Sequence, residues 1–160
     1  MVAGKKKSLP ELATTLVVPP ATPLLELDEL WSFVLKKANK CWVWIALCRQ
    51  TRQVVAYVTG DRSAATCQQL WERIPAVFRA GHCFSDFWEA YQKVLPDEHH
   101  TACGKESGQT AHIERWNNTL RQRLARFVRK TLSFSKSAEM HELCLRLFLH
   151  RYNLSLASPD

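Results

Sequence analysis

The feature that most constrains the fold of this chain is an unbroken apolar run, CWVWIALC, from Cys41 to Cys48. A short apolar run without polar interruptions is typical of a strand that is buried on both faces of a sheet. Neither this run nor any other approaches the ~20 apolar residues that a membrane span requires. The sequence therefore predicts a water-soluble domain built on a sheet that is covered from both sides.

Two further strand signals flank this run. Leu25 to Leu35 mixes apolar and acidic residues, and Val54 to Thr59 is rich in β-branched and aromatic residues. The links at 36–40 and 49–53 are short and polar. Short links of this kind favour an antiparallel meander of three strands.

Helical patterns alternate with short strands in the rest of the chain. Ser63 can cap a helix that Pro75 kinks or ends. A fourth strand is predicted at Gly81 to Ser85, a short helix at 87–94, and a loop with a fifth short strand at 95–108. A long helix is predicted from about Thr110 to Arg129. The last predicted helix places these apolar residues on one face: Met140, Leu143, Cys144, Leu147 and Phe148.

This order of elements predicts an α/β chain with a ribonuclease H-like fold, a mixed five-stranded sheet flanked by helices. In that fold the first and fourth strands lie side by side at the sheet centre, so Asp28 and Asp86 would be neighbours. Residues 1–23 hold a lysine run and a proline-rich stretch and are predicted to be a basic tail or linker. The domain itself is predicted to span residues 24–155.

Three acidic residues occur in settings that suit a metal-dependent phosphoryl-transfer site. Asp28 lies in the first strand, Asp86 closes the fourth, and Glu114 lies near the start of the long helix. Carboxylate oxygens are the ligands that Mg²⁺ prefers, and two such ions can clamp the attacking and leaving oxygens of a phosphodiester. Glu26 and Glu29 compete with Asp28; by strand alternation Glu26 shares its face and Glu29 points to the other.

The long helix also carries groups suited to DNA phosphates. Asn117, Asn118 and Arg121 follow Glu114 at helical spacing and share its face. From Arg115 to Lys136 there are seven Lys or Arg residues and no Asp or Glu, within a chain of net charge +7. Basic residues that contact phosphates position a duplex without reading its sequence. The predicted DNA-binding residues are Asn118, Arg121, Arg123, Arg126, Arg129, Lys130 and Lys136.

The six cysteines lack metal-ligand spacing. None forms a C-x-x-C pair, and several occupy apolar periodic positions, so they are interpreted as reduced core residues of a cytosolic protein. A zinc site is the alternative, and it would use His82, Cys83, His99, His100 and Cys103. This spacing matches no standard structural zinc site.

Three stretches resemble the acidic motifs of insertion sequence 1 family transposases. They are Leu27-Asp28-Glu29-Leu30-Trp31, the Ser85-Asp86 turn, and His112-Ile113-Glu114-Arg115-Trp116-Asn117. The stretch from Asn118 to Arg126 and its continuation at 129–137 resemble the signature that follows the catalytic glutamate in that family. The resemblance covers roughly residues 24–153.

This resemblance implies a DDE transposase that cuts and joins double-stranded DNA at element ends and at a target, with two Mg²⁺ or Mn²⁺ ions. Asp28, Asp86 and Glu114 would be both the catalytic triad and the metal ligands. Homo-oligomerisation on DNA and a cytoplasmic, nucleoid-associated location in bacteria are expected, with no membrane partner. Only 23 residues precede the first strand, so the chain is expected to be the catalytic half. A zinc-finger and helix-turn-helix region would be encoded separately or fused by frameshifting.

Two alternatives remain open at this point. A ribonuclease H-like nuclease would keep the triad without transposition. A non-catalytic truncated transposase fragment would instead act as a DNA-binding regulator, and it could lose the carboxylates without consequence.

Overall fold

A computed structural model describes residues 10–124 and 136–157 of the chain. These residues form one sheet with helices packed on both of its faces. The strands are β1 (Leu24–Val34), β2 (Lys36–Cys48), β3 (Val54–Gly60), β4 (His82–Ser85) and β5 (His100–Ala102). The helices of the described residues are α1 (Ala64–Arg73), α2 (Ala76–Arg79), α3 (Glu89–Val94), α4 (Ala111–Arg123) and α5 (Ala138–Ala157).

The sheet is mixed, and its strands lie in the order β3-β2-β1-β4-β5. The first three strands pair antiparallel, as the short links predict, while β1 pairs parallel with β4 and β4 pairs parallel with β5. The predicted five-stranded sheet with the first and fourth strands at its centre is therefore confirmed. Parallel pairing brings the carboxyl end of β4 beside the middle of β1.

A close backbone approach sets the β1–β4 pairing where it begins. The amide of His82 donates a hydrogen bond of 3.2 Å to the carbonyl oxygen of Pro23. A Cβ atom at Gly81 would lie 1.8 Å from that same oxygen. Any other residue at position 81 would therefore push β4 away from β1.

Apolar side chains pack on both faces of the sheet. Within the CWVWIALC run, Trp44, Ala46 and Cys48 face one core while Val43, Ile45 and Leu47 face the other. The first core is closed by residues of α1, α2 and α3 and the second by residues of α4 and α5. All six of these β2 residues are at most 1% exposed, so the predicted burial on both faces is confirmed.

Some predicted boundaries differ from the structure. Residues 36–40, predicted as a link, belong to β2, because the β1–β2 hairpin extends into an exposed arm that turns at Leu35. The short helix begins at Glu89 rather than at 87. The helix predicted to run to Arg129 ends at Arg123, with Leu124 in an extended conformation, and residues 125–129 lie outside the described residues.

The apolar face predicted for α5 is largely exposed. Its buried residues are His141, Leu145, Leu149 and Asn153, whereas Met140, Leu143 and Leu147 face solvent. The pattern is misleading because two polar residues enter the core with hydrogen-bond partners. His141 bonds the Ser32 hydroxyl at 2.8 Å, and the Asn153 side chain bonds the backbone of Val54 at 2.8 Å.

The segment before β1 packs against the domain from residue 10 onward. It contains a 3₁₀ turn at Leu12–Thr15, and Thr15 is buried. Gln53 donates to the Thr15 carbonyl at 2.8 Å and accepts from the amide of Val17 at 2.7 Å. Residues 10–23 therefore contact the sheet, although their composition predicts a tail or linker. No helix among the described residues is long and apolar enough to cross a membrane.

Candidate active site

A cleft of about 360 Å³ opens beside β1 where β4 ends. Its charged and amide-bearing walls come from β1, α4 and three connecting segments. The carboxylates that line it are Asp28, Glu29, Asp86 and Glu114. The cations and amides are Arg62, Lys105, Arg121, Asn117 and Asn118.

The two predicted aspartates lie together in this cleft. Carboxylate oxygens of Asp28, Glu29 and Asp86 all lie within 4.8 Å of one another. The 57 residues between Asp28 and Asp86 are bridged by the parallel pairing of β1 with β4. Asp86 also accepts a hydrogen bond of 2.9 Å from the amide of Trp88, so the same side chain shapes the turn into α3.

Glu114 reaches the cleft from the other side. It lies on the first turn of α4, is half-buried, and accepts a hydrogen bond of 3.2 Å from the Thr110 hydroxyl. It lies outside the tight group formed by Asp28, Glu29 and Asp86. The cleft therefore presents one close set of carboxylates and a fourth carboxylate on a separate element.

Glu26 holds α4 in place and has no oxygen left for a ligand. Its side chain is fully buried, and one oxygen accepts the amides of His112 at 3.0 Å and Ile113 at 3.2 Å. The other oxygen meets Arg49 Nε at 3.0 Å and His112 Nδ1 at 2.7 Å. These bonds satisfy amides that the first turn of a helix leaves free, and the negative charge suits the helix N-terminus. Of the two acids on this face of β1, only Asp28 lines the cleft.

A second tie between α4 and β1 ends in the cleft itself. Asn117 is buried, and its Nδ2 donates a hydrogen bond of 2.8 Å to Asp28 Oδ2. Its Oδ1 is buried and has no hydrogen-bond partner among the described residues. A buried acceptor without a donor is costly unless a ligand or water satisfies it. This oxygen is therefore suited to a cation or to a group that a cation carries.

Glu29 faces the opposite side of the sheet, as strand alternation predicts, and its oxygens are occupied. Oε1 accepts from Arg62 Nε at 3.0 Å and from Arg62 Nη2 at 2.9 Å. Oε2 accepts from the Tyr91 hydroxyl at 2.5 Å. Glu29 is thus a neighbour of the two aspartates that is held by protein donors. The sequence offers no local signal for its partner Arg62, because that residue lies in the turn after β3.

The environment of Asp28 favours its neutral form in the absence of cations. The pKa of Asp28 is raised to about 7, chiefly because the side chain is buried and in part because of the charges of Glu29, Asp86 and Glu114. The amide of Glu29, which donates to Asp28 Oδ1 at 2.9 Å, acts in the opposite direction. Burial likewise raises the pKa of Glu29, although Tyr91 and Arg62 oppose the shift. Closely spaced carboxylates of this kind favour a bound positive charge.

The predicted DNA-binding residues fall in several places. Asn118 and Arg121 line the cleft, beside Glu114. Arg123 and Lys136 are exposed and are not among the cleft-lining residues. Arg126, Arg129 and Lys130 lie outside the described residues.

Two histidines of the zinc alternative bond hydroxyl groups on the neighbouring strand. His82 bonds the Thr101 hydroxyl at 2.6 Å, and His100 bonds the Ser85 hydroxyl at 2.7 Å. Burial raises the pKa of Cys83 to about 12, which disfavours the thiolate that zinc binds. All six cysteines are free thiols.

A solved structure shares this fold. The catalytic core domain of HTLV-2 integrase, solved in complex with magnesium, aligns with a TM-score of 0.52 and 13% identity. The alignment covers 83% of this chain and 82% of that one. A mixed sheet in this order with acids at its centre defines a ribonuclease H-like protein, and the predicted fold class is confirmed.

Sequence comparison then identifies the family. Residues 23–154 match the profile of the IS1 transposase family. The InsB protein of insertion element iso-IS1n from Shigella dysenteriae is 40% identical over 129 residues, covering 81% of this chain and 95% of that protein. An IS1 InsB protein of Escherichia coli K12 is 35% identical over 147 residues, covering 91% and 86%. The chain belongs to the IS1 transposase family, and it is a DDE transposase; the nuclease and regulator alternatives are not favoured.

Proposed function

We propose that Asp28, Asp86 and Glu114 are the catalytic carboxylates of this transposase and that they bind two Mg²⁺ or Mn²⁺ ions. The observation that carries the proposal is the approach of Asp28 to Asp86 within 4.8 Å, with the unpartnered Oδ1 of Asn117 beside them. The donor set is composed of oxygens, which suits a hard divalent cation rather than zinc. Family membership and the fold support a divalent metal; its identity and number are part of the proposal.

The side chains around the cleft have two roles, metal binding and positioning of α4. Asp28 and Asp86 would hold one cation, and Glu114 would supply a ligand from α4 for the second. Glu26 and Asn117 fix α4 against β1, and so fix the distance across the cleft. When bound, two such ions lower the pKa of an attacking water or hydroxyl and offset the charge on the leaving oxygen.

The basic residues are proposed to hold the DNA backbone. Asn118 and Arg121 would contact phosphates next to the reacting one, because they line the same cleft as Glu114. Arg123, Arg126, Arg129, Lys130 and Lys136 would extend this contact along the duplex. Such contacts carry no base information, so the chain would bind duplexes of any sequence and associate with the bacterial nucleoid.

The remaining partners of the proposal come from the family resemblance. They are a zinc-finger and helix-turn-helix region, encoded separately or fused by frameshifting, and further copies of the chain on DNA. The first would supply recognition of element ends. Sedimentation of the chain with and without an element-end duplex tests the second, and a complex with one chain per duplex would contradict it.

Nicking of intact element-end duplexes and joining of pre-cut ends to target DNA test the catalytic proposal. We expect nicking and joining in Mg²⁺ or Mn²⁺ and none in EDTA. Calorimetric titration of Mn²⁺ into the same protein should give two ions per chain, and Asp86→Asn should reduce that number. Unchanged Mn²⁺ binding by Asp86→Asn would show that this residue is not a ligand.

A further inference from the structure

Arg62 lies in the cleft but has no part in the carboxylate chemistry described above. It belongs to the turn between β3 and α1, and that turn is fixed by side-chain bonds. The Asp61 carboxylate accepts from the Thr66 hydroxyl at 2.6 Å and from the amide of Ser63 at 3.1 Å. The Asp61 carbonyl accepts from Trp44 Nε1 at 2.8 Å. The backbone that presents Arg62 is therefore held on both sides.

The guanidinium group itself is held from three directions. Glu29 binds its inner edge through Nε and Nη2, at 3.0 and 2.9 Å. The rings of Trp42 and Trp88 lie against it, with the guanidinium carbon 4.7 and 4.1 Å from their centroids. Cation–π contacts of this kind fix the plane of an arginine without using its N–H donors.

The outer edge of the guanidinium remains available to a ligand. An arginine has five N–H donors, and Glu29 takes one from Nε and one from Nη2. Nη1 has no hydrogen-bond partner within residues 10–124 and 136–157. The Arg62 side chain is 38% exposed, whereas that of Glu29 is 1% exposed. The pair is thus buried at its acidic end and open to the cleft at its basic end.

An ion pair of this kind is poorly explained by stability alone. Burying a charged pair costs desolvation energy that roughly offsets its attraction, and apolar packing often serves as well. The open end of the pair lies in a cleft lined by three further carboxylates, Asp28, Asp86 and Glu114, which repel a DNA backbone. A cation on this wall, facing the wall formed by Glu114 and Arg121 on α4, would offset that repulsion.

We infer that Arg62 binds a backbone phosphate of the DNA substrate at the rim of the cleft, and that Glu29, Trp42 and Trp88 hold it in place. The planar fork of arginine can donate two parallel hydrogen bonds to phosphate oxygens. The strand would then cross the carboxylates between Arg121 on α4 and Arg62 on the β3–α1 turn. The inference rests on the proposed function, because it takes this cleft to be where DNA reacts.

Anisotropy of labelled duplex binding against salt, in EDTA, tests the inference on the whole chain. The variants are Arg62→Gln, Glu29→Gln and the double variant Arg62→Gln/Glu29→Gln. Arg62→Gln should lower the log–log salt slope by about one unit, the loss expected of one phosphate contact. Glu29→Gln should keep the full slope. The matched control is Arg49→Gln, because Arg49 also pairs with a buried glutamate and lies over the Phe84 ring at 4.5 Å, but does not line the cleft.

The double variant separates binding from folding. Arg62→Gln leaves Glu29 buried without its cation and should lower the melting temperature, whereas the double variant should recover most of it. If Arg62 binds phosphate, the double variant folds but keeps the reduced slope. If the double variant recovers the wild-type slope, Arg62 is only the counterion of Glu29 and the inference is wrong.

The proposed function and this inference fail in different ways. A wild-type chain that nicks DNA with Mg²⁺ while Arg62→Gln keeps the full slope overturns the inference alone. A wild-type chain that neither binds duplex nor cleaves it with any divalent metal overturns both.

Discussion

Asn117 on α4 donates a hydrogen bond of 2.8 Å to Asp28 on β1, although the two residues lie 89 positions apart in the chain. Together with the bonds from Glu26 to the first turn of α4, it fixes the helix in both position and rotation. Glu114 lies one turn before Asn117, on the same face of the helix. The same contacts that hold the fold together therefore set the distance between Glu114 and the two aspartates.

Removing any one of the three proposed ligands should abolish the reaction. We expect Asp28→Asn, Asp86→Asn and Glu114→Gln each to reduce strand cleavage and joining by more than ~100-fold, because even partners of metal ligands cost 10–100-fold when lost. The matched control is Glu89→Gln, an exposed acid on α3 that pairs with Lys93. Nicking of intact element-end duplexes and joining of pre-cut ends in Mg²⁺ are the measurements. Wild-type nicking by any one of the three variants would remove that residue from the site.

Asn117 should matter for metal binding more than for folding. Asn117→Leu removes both the bond to Asp28 and the acceptor oxygen that faces no donor, at similar volume. We expect the affinity for Mn²⁺ to fall by roughly 10–100-fold, as for other residues that orient ligands. Calorimetric titration measures it, with Gln122→Leu as the control, because Gln122 is exposed on the same helix and does not line the cleft. Equal losses in the two variants would argue against a specific role.

Two acids on one face of β1 should respond in opposite ways to neutralisation. Glu26→Gln leaves Arg49 without its buried partner, and we expect a loss of about 3–5 kcal/mol in the free energy of unfolding. Asp28→Asn relieves repulsion among the carboxylates and should stabilise the metal-free protein. Urea denaturation at pH 8 in EDTA gives both values. A loss of similar size in both variants would contradict the division of roles between them.

The effect of Asp28 on stability should depend on pH with a definite sign. Its pKa of about 7 in the folded state exceeds the ordinary value of 3.8, so the folded protein binds a proton more tightly than the unfolded chain does. Wild-type stability should therefore fall as pH rises from about 4 to 7, by an amount on the order of 2–4 kcal/mol. Asp28→Asn should match wild type near pH 4 and exceed it above pH 7. Urea denaturation across this pH range in EDTA measures both proteins. A difference in the free energy of unfolding between them that stays constant with pH would contradict the prediction.

The basic face of α4 should account for part of the salt dependence of DNA binding. Arg121→Ala and Arg123→Ala should each lower the log–log salt slope by about one unit. Each should also weaken binding to duplexes of unrelated sequence by the same factor. Lys93→Ala is the control, since Lys93 is exposed on α3 and pairs only with Glu89 among the described residues. Anisotropy on two unrelated duplexes measures the slopes. A marked preference for one duplex would point to base readout instead.

The succession of strands and helices along the chain, and the family, could be predicted from sequence because both depend on local signals. The CWVWIALC run indicates a strand buried on both faces, whatever its position in the sheet. The motif around Glu114 is long enough to identify the family of the chain. Alternation along β1 correctly gives Asp28 a partner on α4 and Glu29 a partner on α3, since a strand has a period of two, but it does not show that the two carboxylates meet in one cleft. The same reasoning fails on α5, where buried His141 and Asn153 replace the apolar residues that periodicity selects.

Only the tertiary structure could decide which of the acids on β1 are free to bind a ligand. Glu26, Asp28 and Glu29 lie within four residues of one another, and no local pattern shows that the first caps α4 and the third binds Arg62. Apart from the Glu29 amide that bonds Asp28, the partners of these carboxylates lie 23 to 89 positions away. Such contacts exist only when the sheet and helices are packed. The sequence by itself determined the residue types and the fold that gathers them. The packing of α4 and the β3–α1 turn against β1 determined which oxygens remain unoccupied, because each buried carboxylate must satisfy its charge with whatever donors the fold brings near.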